Sequence, residues 1–316
     1  MFRKRAVLCT SLLVAVLMIA APVFAVTING CGEFFIFTQK DTLFEQGLTD
    51  ITGDVFSQTG KVVVGAHNTI HGTVSAQTLV IGTDAKVDHC VTNNLQGNAA
   101  GCGDVAPFNP PAACTAGFPL GVSIPPFPPT CVPNTAISTP NNSDLTLAPG
   151  CYSSIRVGKM ATLSLTGGGN YFVTGEVRVL AGGELKSSGG GSANLENKSS
   201  VSTEAGAALT DLNIFSINTP GNDIHYFNRT VLTNVVTVSV KGDVHAHTGD
   251  QFIGGEIEGV TATIEPITNV GNVFVCACPP GTHFAFGTVD DGTKGDQCAD
   301  APTGLTCQQY RSCVPN

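Results

Sequence analysis

Leu145-Thr146-Leu147, Ile155-Arg156-Val157, Leu163-Ser164-Leu165, Tyr171-Phe172-Val173 and Val177-Arg178-Val179 follow one another along the chain, each a triplet with apolar ends. Leu147, Ile155, Leu163, Tyr171 and Val179 are spaced eight apart at every step. Between the triplets stand Pro149-Gly150, Gly158-Lys159, Gly167-Gly168-Gly169 and Gly182-Gly183. Alternation over three positions, broken by glycine, describes short strands and turns; the segments are too short for helices. Three units of eight make a coil of about 24 residues, the size of a small stacking repeat. The expected fold is all-β, a right-handed parallel β-helix with three strands per coil. Each coil adds about 4.8 Å of rise and lines the core with ladders of like side chains.

A second signal precedes this block. Ile51-Thr52-Gly53-Asp54-Val55 returns as Ile70-His71-Gly72-Thr73-Val74 and again as Val240-Lys241-Gly242-Asp243-Val244. Val62-Val63-Val64-Gly65 is echoed by Leu79-Val80-Ile81-Gly82. Self-similarity at short range means that one unit cannot bury its apolar face alone and must stack on the next. Ile70, Val74, Leu79, Ile81, Val87 and Val91 are expected to point inward.

The ends set the setting. Arg3, Lys4 and Arg5 precede an apolar run to Ala21, and Val23-Phe24-Ala25 supplies small residues for cleavage. This is the pattern of a secretory signal peptide, 1–25, cut after Ala25. The run is short for a membrane span, so cleavage is expected rather than a retained anchor. No later stretch is apolar enough for a transmembrane segment. Removing the leader takes three of the 15 basic residues and leaves 12 against 24 acidic ones, a net charge near −12. That surface repels phosphate backbones, so no nucleic-acid partner is expected. Tryptophan is absent and aromatics make up 7% of the chain, which weakens a sugar-stacking reading.

The remaining organisation follows composition. Residues 26–50, with Phe34, Phe35, Ile36, Phe37 and Phe44, read as an N-terminal cap over the first coil, with room for a short helix. The first β-helix block is 51–93 and the main block is 145–272. Residues 94–144 form an insertion: ten of the 18 prolines lie between Pro107 and Pro140, and proline cannot donate to a ladder. The expected role is a disulfide-clamped spacer. Residues 273–316 shift to Gly, Asp, Pro and Cys and read as a disulfide-stapled tail. Of the 12 cysteines, Cys9 leaves with the leader; the odd number that remains points to disulfides plus one unpaired or interchain thiol. The disulfide candidates are Cys114 with Cys131, and Cys276, Cys278, Cys298, Cys307 and Cys313 in the tail.

Chemistry-bearing residues are sparse. His67 and His71 are four apart; His245 and His247 are two apart on an expected strand and so share a face. A third ligand such as His89 or Asp243 would complete a zinc site, but solvent-facing side chains are the simpler reading. Glu176 with Arg178, and Glu184 with Lys186, have the spacing of glycan-active carboxylates and equally of surface ion pairs. Asp54 and Asp243 belong to the turn phrase, and Asp290-Asp291 to the tail. Asn141, Asn197 and Asn228 begin glycosylation sequons. No nucleophile elbow, phosphate loop or dinucleotide fingerprint is present. The reading therefore assigns no catalytic, cofactor-binding or metal-ligating set and no cofactor.

Two resemblances add to this. Ile51-x-Gly53-x-Val55, Val64-Gly65 and Ile70-x-Gly72-x-Val74-x-Ala76 resemble bactofilins, bacterial polymer-forming proteins whose β-helix stacks end to end. Leu147-x-Pro149-Gly150-x-Tyr152, Leu163-x-Leu165 and Gly169-x-Tyr171-x-Val173 are similar to β-helical domains of bacterial exported, cell-surface proteins. Together they imply a secreted or cell-surface protein, or a periplasmic one, that is structural or adhesin-like and not enzymatic. The implied partners are further copies of itself, or an envelope, matrix or glycan component. The alternatives are a polysaccharide lyase or hydrolase, and an ice-binding or other ligand-binding solenoid.

Overall fold

The computed structural model describes residues 34–110, 127–128, 131, 135–166, 169–189, 191–217, 224–270, 282–286 and 310–315. The leader and its cleavage point lie outside these, as do Cys114, Cys276, Cys278, Cys298 and Cys307. Twenty-five strands form one continuous parallel sheet, wound as a β-solenoid of about ten turns. At about 4.8 Å per turn the rod is about 48 Å long. Thr282–Phe286 and Tyr310–Pro315, the strand that contains Cys313, make a separate antiparallel pair. No helix among the described residues is long and apolar enough to cross a membrane.

Each coil has three faces. Face A is built from strands such as Ser154–Val157, Val177–Val179, Ile224–Tyr226 and Asp243–Ala246. Face B holds Thr162–Thr166 and Glu184–Ser188, and face C holds Asn170–Val173 and Ala193–Asn197. Alternation along each strand sends Ile155, Val157, Leu163, Leu165, Tyr171 and Val173 into the core. Burying each such aliphatic side chain is worth about 1.5–3 kcal/mol. The core hydroxyl of Tyr171 donates to the Leu147 carbonyl at 2.9 Å, which offsets the cost of taking it out of water.

The order of coils in space is not the order in the chain. Ile36–Thr38 pairs with Val55–Ser57 on one edge and with Gln251–Gly259 on the other. Thr42–Phe44 likewise lies between Lys61–Val64 and Thr261–Ile264. The stack therefore starts at Ala136–Thr139, runs to Thr268–Val270, resumes at residue 36 and finishes at Cys102–Ala106. This corrects the cap expected at 26–50: its described part is an interior coil, hydrogen-bonded on both edges, with Phe35, Ile36 and Phe44 in the core.

The proline-rich segment is corrected with it. The coil at residues 36–44 joins the two blocks into one stack, so nothing has to space them; the chain must instead return from one end of the rod to the other. Its two described anchors are both on the outer side of face C. Phe108 packs on Phe56, which stacks on Phe37 at 5.3 Å. Asn93 grips the Phe108 backbone through both N–H and carbonyl, at 3.0 and 3.1 Å. Several coils away, Phe127 meets Phe172 edge-on at 5.3 Å, and Lys198 Nζ lies 3.7 Å from the Phe127 ring centre. Cys131 is bonded to Cys151, not to Cys114 as expected, and Cys90 to Cys102. Between the anchors the outward residues Glu196, Phe215, Val238 and Glu258 are fully buried.

Three local expectations change. The eight-residue spacing steps over a short strand, Gly150–Tyr152, which turns the first coil tightly; Leu147 and Leu165 are then partners on the same face. Gly53 and Gly72 do stack at one corner, but the third copy of the phrase delivers Val244 to face A, where Val55 and Val74 lie on face C. Val91 packs outward against the phenylalanine cluster, and Cys90 takes the core position beside it.

Candidate metal centre

On face A, three successive coils bring Ile224–Tyr226, Asp243–Ala246 and Thr261–Ile264 together, with His225, His245 and Thr263 in register. Ile224, Tyr226, Val244 and Ala246 point into the core. Alternation then forces His225 and His245 outward, one above the other, with ring centres 5.6 Å apart. His247 follows at the corner. Its backbone N–H donates to the Tyr226 carbonyl and to Asp250 Oδ2, at 3.0 and 2.9 Å. Those bonds hold its ring 4.0 Å from His245 and flat against Phe227, at 4.7 Å and 10°.

Glu265 closes the group from the next coil. Its Oε1 is 2.8 Å from His247 Nδ1 and 3.4 Å from His245 Nε2. Its Oε2 accepts from the Thr248 N–H and hydroxyl, at 2.9 and 2.8 Å. Partial burial would raise the Glu265 carboxyl, but the Thr248 bonds and the two imidazoles hold it below its ordinary value. Burial, with His247 adding to it, lowers His245. Asp250 is fully buried, and burial pushes it up to about 7 although it accepts from the Thr230 N–H at 2.8 Å.

One ring nitrogen from each of His225, His245 and His247 lies within 4.8 Å of the other two. His247 Nε2 is buried without a hydrogen-bond partner, and the buried His245 Nε2 beside it has only the 3.4 Å approach of Glu265 Oε1. With its Nδ1 facing Glu265, the neutral form of His247 takes the Nδ1–H tautomer, which leaves Nε2 as the acceptor nitrogen.

The other sequence candidates fall elsewhere. His245 and His247 do share one site, but the expected third partners do not join them. His89 pairs with Asp104 at 3.0 Å, and Asp243 bonds the Thr261 hydroxyl. His67 faces Asp84, and His71 stands between Asp50 and Asp88 at 3.4 and 3.5 Å. His225 escapes a sequence reading because it lies a full coil away; the signal is Ile224-His225-Tyr226 answering Val244-His245-Ala246. Among the carboxylates, Glu184 pairs with Lys186 at 2.9 Å, Arg178 reaches Glu204 on the next coil at 2.8 Å, and Glu176 accepts from Ser202. Asp54 accepts from the Thr73 N–H at 2.7 Å, a corner role. Asp290 and Asp291 lie outside the described residues. Searches of protein-family models, of curated proteins and of solved structures each found nothing that matches this chain.

Proposed function

We propose that this chain is a non-enzymatic exported structural or adhesin-like surface protein, a rigid β-solenoid used for assembly or attachment. One observation carries the reading: the two ends of the rod. Among the described residues, Cys102–Ala106 pairs on one edge only, with Lys86–Gly97. At the other end Asp144–Leu147 and Gly150–Tyr152 pair only with the coil above them. Strand edges of this kind are satisfied by another strand, and end-to-end addition of copies is a heterologous contact that propagates as a filament. The bactofilin-like phrase at 51–76 agrees with this, since its coils lie near one of these ends. The disulfides, Cys90–Cys102 near one end and Cys131–Cys151 near the other, suit an oxidising, extracytoplasmic compartment.

Negative-stain electron microscopy of the exported chain from Val26, oxidised and with reductant, tests it. Filaments or ordered sheets support assembly, and their loss on reduction would trace it to an interchain cysteine. Dispersed short rods that bind no cell surface, matrix component or glycan would reject the proposal.

A further inference from the structure

We infer that His225, His245 and His247 bind one divalent transition-metal ion of the zinc class, with Glu265 as the outer carboxylate that orients His247. This stands apart from the assembly reading and depends on different residues.

The geometry is close to that of an ion site. Zinc takes imidazole nitrogens at about 2.0–2.1 Å, so three ligands around it stand roughly 3.4 Å apart. The three nitrogens are already within 4.8 Å of one another, and side-chain rotation on an outward face covers the difference. Metals take neutral imidazole, and Glu265 supplies the carboxylate-to-imidazole contact that commonly fixes the tautomer of a metal-bound histidine.

Burial gives the second argument. A buried ring nitrogen without a partner forfeits its hydration, a cost a protein rarely keeps without use. His247 Nε2 is in that position, beside His245 Nε2, whose one contact is Glu265 Oε1 at 3.4 Å. The three rings lie within 4.0–6.2 Å of each other, with the Glu265 carboxylate against His245 and His247. A dication among them would satisfy the bare His247 nitrogen and bind the three rings together. Phe227 walls one side, stacked on both His225 and His247. Three protein nitrogens leave a fourth position for water or for a donor atom brought by a ligand.

The test uses the oxidised chain without a polyhistidine tag, its free thiols alkylated, after dialysis against a chelator. Zinc chloride is titrated calorimetrically, and cobalt is added to read its visible absorption. The expected result is one ion per chain, a rise in melting temperature with zinc, and a cobalt spectrum of low coordination number. His225→Gln and His247→Ala should abolish binding. Glu265→Gln should weaken it about 10–100-fold, as loss of an outer-shell partner does. His71→Ala, on another face, should change nothing. His225 points away from the core, so its substitution leaves the fold intact; circular dichroism of the metal-free variant checks this. Absence of binding, or binding that survives both His225→Gln and His247→Ala, overturns the inference.

Discussion

Ile36 stands in parallel register with Ile257 on one side and Val55 on the other. The two neighbours come from opposite ends of the described solenoid sequence, yet they sandwich one side chain with no exposed surface. The N-terminal coil thus joins the blocks, and Phe35 repeats the link by meeting Phe252 edge-on at 5.6 Å.

Removing that link should cost as much as any core truncation. Phe35→Ala is expected to destabilise by about 3–5 kcal/mol and Ile36→Ala by about 2–5 kcal/mol. Urea unfolding of each variant measures this. If the coil were a peripheral cap, both values would fall well below that range.

The same link predicts shared protection. Amides in Thr42–Phe44 and in Thr261–Ile264 hydrogen-bond in one ladder, so they should exchange with a common opening free energy. Hydrogen exchange by mass spectrometry reads it. Fast exchange of the first segment beside slow exchange of the second would separate the blocks. Joining sequence-distant strands also predicts slow refolding, in the range of non-local β topologies.

Glycine is required where coils turn closely. Gly255 has φ +103°, and a Cβ there would sit 2.1 Å from the Val235 carbonyl oxygen. Gly255→Ala should cost at least about 1–3 kcal/mol, the scale of backbone strain alone. A Cβ added at Gly191 would meet no heavy atom within 4 Å, so Gly191→Ala is the control that should leave the melting temperature nearly unchanged.

The buried carboxyls on the outer side of face C set a pH dependence. Burial raises Glu196 and Glu258 to about 7, Glu258 with Glu256 as its neighbour, and both have no exposed surface. Each folded value lies above the unfolded one, so the folded state holds more protons between them. The stabilising contribution is complete below about pH 4.5 and is lost as pH rises through about 7. The Glu196→Gln variant should be more stable than the parent above pH 7 and should show a shallower slope. Melting temperatures from pH 4 to 8 decide this; a parent whose stability rises across that range would contradict it.

Peptide mapping without reduction should find Cys90 linked to Cys102 and Cys131 linked to Cys151. A Cys114–Cys131 peptide would restore the spacer reading of the proline-rich segment. Cys131→Ser should loosen the Phe127 anchor and increase protease cleavage between residues 108 and 135.

The class of fold is legible in the residues alone. Alternation in Ile155-Arg156-Val157 and its successors needs only local chemistry, because a two-residue period and glycine corners dictate which side chain faces the core. The echo of Val62-Val63-Val64 in Leu79-Val80-Ile81 was likewise legible, and the structure pairs Val62 with Leu79 and Val64 with Ile81. His245 and His247 were legible as neighbours for the same reason. What lies next to what across coils is set by the stacking of the coils in space. Stacking free energy does not depend on chain order, so a coil from the N-terminus can fill the place that follows the C-terminal block. That freedom turned the expected cap into an interior coil and the expected spacer into a return between the ends of the rod, with its described anchors at Phe108 and Phe127 on face C. It also placed His225 and Glu265 around His247, since coil lengths that vary between corners hide from the sequence which outward residues fall into register.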